Sequence, residues 1–366
     1  MTTSGRGRRR KGQSMIDWEF AVQTAGKLVP PGPPLPREAI DEAVHELRTG
    51  AKVSEGYVRD FSGLTAGEAT APVLIVDRMG WVRANADGFS EVLQPLVDKV
   101  AEQRKPSSFI TDSLVNAVGS RVTGAEAGAL LGFLSTKVLG QFDPFWAQEP
   151  GTTGRMLLVA PNIVTAEQEL DVDPHDFRLW VCLHEETHRV QFTAVPWLRE
   201  HLLSEITAFV GETDVDPDHL KSMLVDALRS VGSLVRGGSG GSLVDLFTSP
   251  EQREIIARLT AVMSLLEGHA DVVMDGVGPS VVPSVATIRK RFNRRRKGKG
   301  TLDSILRRLL GLEAKMRQYA DGAVFVNAVV DRVGMSGFNA VWDSPATLPG
   351  PAEIADPAAW VRRVHG

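Results

Sequence analysis

The sequence predicts a mainly α-helical fold of the α+β class, with a small β component. Three observations carry that expectation. Several long stretches repeat apolar residues at helical spacing, and some open with a cap residue followed by proline. One short run, "RMLLVAPNIV" at 155–164, is apolar and bounded by Gly and Asn, as a strand would be. The chain of 366 residues, 43% hydrophobic and 23% charged, has ordinary globular composition and length enough for a sizeable core.

Taken in order, residues 1–14 are basic and Gly/Ser-containing, and are expected to be disordered. The prolines of "LVPPGPPLP" rule out a continuous helix there. Helices are expected over "REAIDEAVHELR", "GWVRANADGFSEVLQPLVDKVAEQ" and "AEAGALLGFLSTKVLG". The third is rich in Gly and Ala, which suits close helix packing. After the strand at 155–164, "DPHDFRLWVCLHEETHRVQF" has Asp173 as N-cap and Pro174 at the first helical position. "RGGSGGS" at 236–242 is a flexible loop. "SPEQREIIARLTAVMSLLEGHADVVMDG" begins with a serine cap and runs as a long helix, and "TLDSILRRLLGLEAKMRQYADGAVFVNAVVDRVG" gives one or two more. "RKRFNRRRKGKG" puts eight basic residues in 289–299. It reads as a solvated cationic loop, dispensable for folding.

Net charge is −4, which gives no drive toward nucleic acid or anionic membrane, so no nucleic-acid partner is expected. Cys182 is the only cysteine, so no intramolecular disulfide can form and a reducing compartment is implied. The basic N-terminal run has no apolar stretch behind it, and no run of about 18 apolar residues occurs. A cytoplasmic location without a membrane span is therefore expected.

The chemistry concentrates in "WVCLHEETHRVQF", residues 180–192. H-E-x-x-H on a helix sets two imidazoles on one face, one turn apart, where both can reach one tetrahedral zinc. His184 and His188 are the expected ligands of one Zn2+ per chain. Glu185 is the expected general base, taking a proton from a water whose pKa zinc lowers to about 7. A third ligand must come from elsewhere, because Gln191 and Ala194 stand where a same-segment glycine and histidine would be. "LLEGHAD" offers Glu267, with Asp271 one turn later to hold the outer nitrogen of a ligand histidine. Both lie on a stripe with Ile256, Leu259 and Met263, where a carboxylate needs a cation or hydrogen bonds. Glu205 in "LLSEITAFVGE" is the rival third ligand, and His269 a further one.

Several stretches together resemble one known family: "HEETHRVQFTAVPWL", "LLEGHADVVMD", "ILRRLLGLEAKMRQYADGAVFV" and the tail "LPGPAEIADPAAWVRRV". They are similar to the actinobacterial zincin-like metallopeptidase type 2 family. "MIDWEFAVQTAGKLVPPGP" and "VDRMGWVRANADGF" are similar to its branch described as associated with deazaflavin-coenzyme biosynthesis. The resemblance runs from about residue 15 to the end. It implies a single zincin-like domain over 15–366, with a helical part at 15–150 and the zinc-site core at 151–366, and a zinc hydrolase acting on a peptide or protein. More broadly, His184, Glu185, His188, Glu267 and Asp271 match the gluzincin pattern of H-E-x-x-H followed by E-x-x-x-D. The departure is the long separation, 79 residues from His188 to Glu267.

Hydrolysis needs an oxyanion donor besides the metal. Tyr319, in "KMRQYADG", is the candidate, with Arg189, Arg317 and His201 as others. A strand edge often holds extended substrate in zincins, and "MLLVAPNIV" is the candidate edge. Cys182 reads as a small core residue. A second functional reading, a non-catalytic zinc-containing helical scaffold that binds a partner, leaves Glu185 without a purpose beside the metal.

Overall fold

Periodic apolar spacing becomes helix along most of the chain. The computed structural model describes residues 16–65, 71–94, 109–146, 154–211, 249–296 and 322–366. The elements, in order, are α1 (Trp18–Leu28), α2 (Arg37–Ser62), β1 (Val73–Val76), α3 (Arg78–Val92), α4 (Phe109–Leu134), β2 (Gly140–Asp143) and β3 (Arg155–Val159). Then follow α5 (Ala160–Leu170), α6 (Pro174–Ala194), α7 (Pro196–Gly211), α8 (Pro250–Val277), α9 (Val285–Arg296), α10 (Gly322–Phe338), two 3-10 turns, α11 (Pro351–Ala355) and α12 (Pro357–His365). The mainly helical expectation with a small sheet holds. Residues 1–14, the loop at 236–242, Arg317 and Tyr319 lie outside the described residues.

The helix starts are set by short polar side chains that accept from otherwise unsatisfied backbone N–H groups. Asp17 accepts from Phe20 N at 2.9 Å, Asp77 from Gly80 N at 2.6 Å, and Ser249 from Gln252 N at 3.2 Å. Asp173 accepts from Asp176 N at 2.9 Å, with Pro174 in the first turn, as the sequence predicts for α6.

The sheet has strand order β1-β3-β2, with β1 parallel and β2 antiparallel to β3. β3 is buried at every position. It stops at Val159, short of the expected Val164, because Ala160 begins α5 and Pro161 sits in that helix's first turn, where its missing N–H costs nothing. β3 is also the central strand. Both its edges are taken, so it is not the open edge that "MLLVAPNIV" was expected to supply. The outer edges belong to β1 and β2, neither of which pairs with a further strand among the described residues; β2 is the one whose Gly140 lies against Glu185.

The main core gathers Leu47 and Val58 of α2, Phe177 and Leu183 of α6, Leu265 of α8, Phe325 and Phe338 of α10, and Trp360 of α12. α6 runs through its centre and packs on α2, α8, β2 and β3. Arginines on α6 pin it. Arg178 reaches Glu167 of α5 at 2.6 Å and Glu46 of α2 at 2.9 Å, while Arg189 grips Glu186 at 2.8 and 2.9 Å and Glu55 of α2 at 2.8 Å. Arg189 is therefore committed to carboxylates rather than to a substrate. α8 crosses α10 where Gly268 meets Gly322. A Cβ on Gly268 would lie 2.1 Å from the Gly322 carbonyl carbon, so only glycine permits this approach.

The cationic segment departs from the sequence reading. Residues 289–296 are helix, not loop. Arg289 bonds Asp271 at 2.8 Å and Asp275 at 2.9 Å and lies 5.2 Å over the Trp180 ring. Arg291 donates to the backbone oxygens of Leu170 and Asp171, and Arg295 pairs with Glu169 at 3.0 Å. Ile288 is fully buried and Phe292 packs edge-on against Trp180. Alternate residues of the run thus hold the helix onto α5, α6 and α8, while Lys290 and Arg294 stay exposed. Residues 297–299 lie outside the described residues. Among the described residues no helix is long and apolar enough to cross a membrane.

Candidate metal centre

The crossing of α6 with α8 brings His184, His188 and Glu267 together. One ligand atom from each lies within 4.8 Å of the others. The two Nε2 atoms face each other at 3.2 Å. Glu267 Oε2 is 3.7 Å from His184 Nε2, and its Oε1 is 3.5 Å from His188 Nε2. Ligand atoms about 2.0–2.1 Å from a tetrahedral zinc stand about 3.3 Å apart. The imidazole separation is close to that edge, and with the Glu267 carboxylate facing both rings the three side chains could hold one metal ion. Glu267 is 54% exposed, whereas His184 and His188 are 25% and 12% exposed, so the cluster is closed on the α6 side and open on the α8 side. The stripe expected to bury Glu267 in apolar surroundings is instead the rim of that opening, with Met263 exposed beside it.

The electrostatics agree with a cation at this point. Burial, then the charge of His188, pulls the His184 ring down to about 4. Burial also works against charge on His188, but the hydrogen bond and charge of Glu267 and the charge of Glu185 outweigh it and hold that ring up at about 9. One positive charge is thus favoured between the two imidazoles and the carboxylate.

Glu185 follows His184 on α6 and is only 6% exposed. Burial pushes its carboxyl up to about 8, with His188 opposing and Glu267 adding to the rise. Its space is provided by β2. A Cβ on Gly140 would lie 2.5–2.6 Å from Cγ, Cδ and Oε1 of Glu185. Gly140 was not singled out in the sequence, although an isolated glycine in a strand can mark such a close backbone approach.

The remaining residues divide clearly. Glu205 is turned to Arg258 at 2.8 Å, away from the cluster. His269 is fully buried against Phe338 and Trp342 and does not join the three ligand atoms. The outer-nitrogen role expected of Asp271 is corrected: its carboxylate is taken by Arg289, which α9 delivers from 18 residues away. His188 Nδ1 instead meets Gln191 Oε1 at 3.0 Å, and His184 Nδ1 meets Met274 Sδ at 3.1 Å. His201 sits on α7 against Trp197, with ring centroids 6.1 Å apart. Cys182 is a buried core residue, its Sγ 3.6 Å from Leu47 O, and burial pushes its thiol far up.

The comparisons with known proteins concern nearly the whole chain. The family described as zincin-like metallopeptidase matches residues 16–361. A crystal structure from Chloroflexus aurantiacus, described as "a putative hydrolase with a novel fold", superposes with a TM-score of 0.65 at 29% identity, covering 96% of this chain and 99% of that one. Among curated proteins none matches.

Proposed function

Because this chain belongs to the zincin-like metallopeptidase family, we propose that it is a zinc-dependent peptidase in which His184, His188 and Glu267 hold the metal and Glu185 is the general base. The observation that carries the reading is the convergence of those three donors beside one buried carboxyl, with the opposite side open. Zinc bound there supplies a Lewis acid that lowers the pKa of a coordinated water and polarises a carbonyl.

Glu185 does the proton work. Buried beside the three donors, its carboxylate is placed to accept the proton of the attacking water and release it to the departing amine. Gly140 leaves that carboxyl its place. The side of β2 that pairs with no strand among the described residues would offer backbone groups to an extended peptide, adding one more strand to the sheet. Tyr319 is carried as the oxyanion donor on its family-like context. A purely scaffolding zinc gives no reason for a carboxyl buried next to the ligands, so the catalytic reading is preferred.

The test is a diverse peptide library digested by zinc-loaded protein. Cleavage is expected, and Glu185→Gln should fold and keep its zinc yet cleave about 10²- to 10⁴-fold more slowly. No cleavage by the wild type would overturn the peptidase assignment. Equal cleavage by the variant would overturn the role of Glu185.

A further inference from the structure

The side chain that orients a ligand histidine is Gln191, and its hydrogen bonds determine where the protons lie. Its amide nitrogen faces Leu266 O at 3.0 Å and His269 Nδ1 at 2.9 Å, and its amide oxygen faces His188 Nδ1 at 3.0 Å. A backbone carbonyl only accepts, so the group facing Leu266 O must be the NH2. The oxygen then faces His188, whose Nδ1 must donate. With Nδ1 carrying a proton, the neutral ring presents a lone pair at Nε2, toward His184 and Glu267. The second N–H of the amide points at His269, whose Nδ1 must accept, so its proton sits on Nε2.

That last consequence explains an otherwise odd feature. His269 Nε2 is buried without a hydrogen-bond partner among the described residues. Its ring is stacked on Phe338 at 5.4 Å and set edge-on to Trp342 at 5.5 Å. A buried N–H without a partner is costly and calls for a reason. Here the reason is that the opposite nitrogen is needed as an acceptor.

We propose that Gln191 is the positioning residue of the metal centre: clamped by Leu266 O and His269 Nδ1, its amide fixes the His188 ring so that Nε2 points into the ligand cluster. The proposal rests on the zinc reading above. Among the described residues His184 meets the thioether of Met274, a weak acceptor, at its outer nitrogen, so His188 is the better-oriented ligand of the two.

The test has two readouts. Zinc affinity is measured by competition with a chromophoric chelator for wild type, Gln191→Leu and Gln191→Glu. Gln191→Leu should bind zinc about 10- to 100-fold more weakly. Gln191→Glu still accepts from His188 but sets an acceptor against Leu266 O, so it should lose less zinc affinity than Gln191→Leu without matching wild type. Nitrogen-15 NMR of histidine-labelled, metal-free protein reads the His269 tautomer independently of any metal. Wild type should show the proton on Nε2. Gln191→Glu should move it to Nδ1, because a carboxylate now faces that nitrogen. Wild-type zinc affinity in Gln191→Leu, or an Nδ1–H tautomer of His269 in the wild type, overturns the proposal. Should Gln191→Leu not fold, Gln191→Glu and the wild-type spectrum still decide it. A wild type that binds no zinc overturns the metal reading, and the His269 tautomer then judges the amide clamp alone.

Discussion

At the scale of single residues, the account turns on what each side chain faces. That His184 and His188 share a helix face was legible because their spacing fixes it before any tertiary structure is known, and Glu267, read from its E-x-x-x-D context, comes beside them in the fold. Asp271 was misread for the opposite reason. Its carboxylate is equally well placed for a histidine or an arginine, and only the return of α9 with Arg289 decides between them. Gln191 lies one turn beyond His188, so the contact is legible in principle, but its purpose depends on Leu266 O and His269 from another helix. Two predictions belong here. Gly140→Ala should retain zinc while lowering hydrolysis, on the order of 10²-fold, because a Cβ displaces the Glu185 carboxyl and misplacement of about 1 Å is enough for such a loss. Steady-state kinetics beside metal analysis checks it, and unchanged kcat would count against the placement of Glu185. Glu205→Ala should leave zinc affinity unaltered, since Arg258 is its partner. Loss of zinc there, measured by chelator competition, would return Glu205 to the ligand set.

At the scale of elements, the long capped helices were readable, and their starts at Asp173 and Ser249 fell where the cap chemistry put them. β1 and β2 were not read. Each has four residues, too few for alternation to register, and a strand of that length exists only through its partner. α9 was hidden by its charge. The run of basic residues reads as solvated until the carboxylates of α5 and α8 are brought beside it. Arg289→Ser should therefore cost about 2 kcal/mol of folding stability, the scale of hydrogen bonds to a charged partner. Lys290→Ser and Arg294→Ser, being exposed, should change it within about 0.5 kcal/mol. Denaturant titration separates the two classes. An Arg289→Ser chain as stable as wild type would mean that α9 does not brace α8. Gly268→Ala should be harsher, about 3 kcal/mol, because its Cβ meets Gly322 backbone that no rotamer change can move.

At the scale of the whole molecule, the cluster joins two helices, α6 and α8, that are far apart in sequence and near the middle of the core. A metal bound by the folded chain alone adds stability by mass action, about 2.7 kcal/mol at a hundredfold excess over Kd. Chelation should accordingly lower Tm, and His184→Ala should lose the zinc-dependent increment. The sign with pH follows from His188. Its metal-free ring keeps a proton up to about 9, and a ligand nitrogen must lose that proton to bind. Zinc affinity should rise with pH between 6 and 8, with about one proton released per zinc bound. The measurement that tests the central claim most directly is zinc content per chain in Glu185→Gln and Glu267→Ala, determined side by side on folded protein. The account predicts one zinc per chain in Glu185→Gln and a sharp loss in Glu267→Ala. Zinc lost from Glu185→Gln and kept in Glu267→Ala would contradict it.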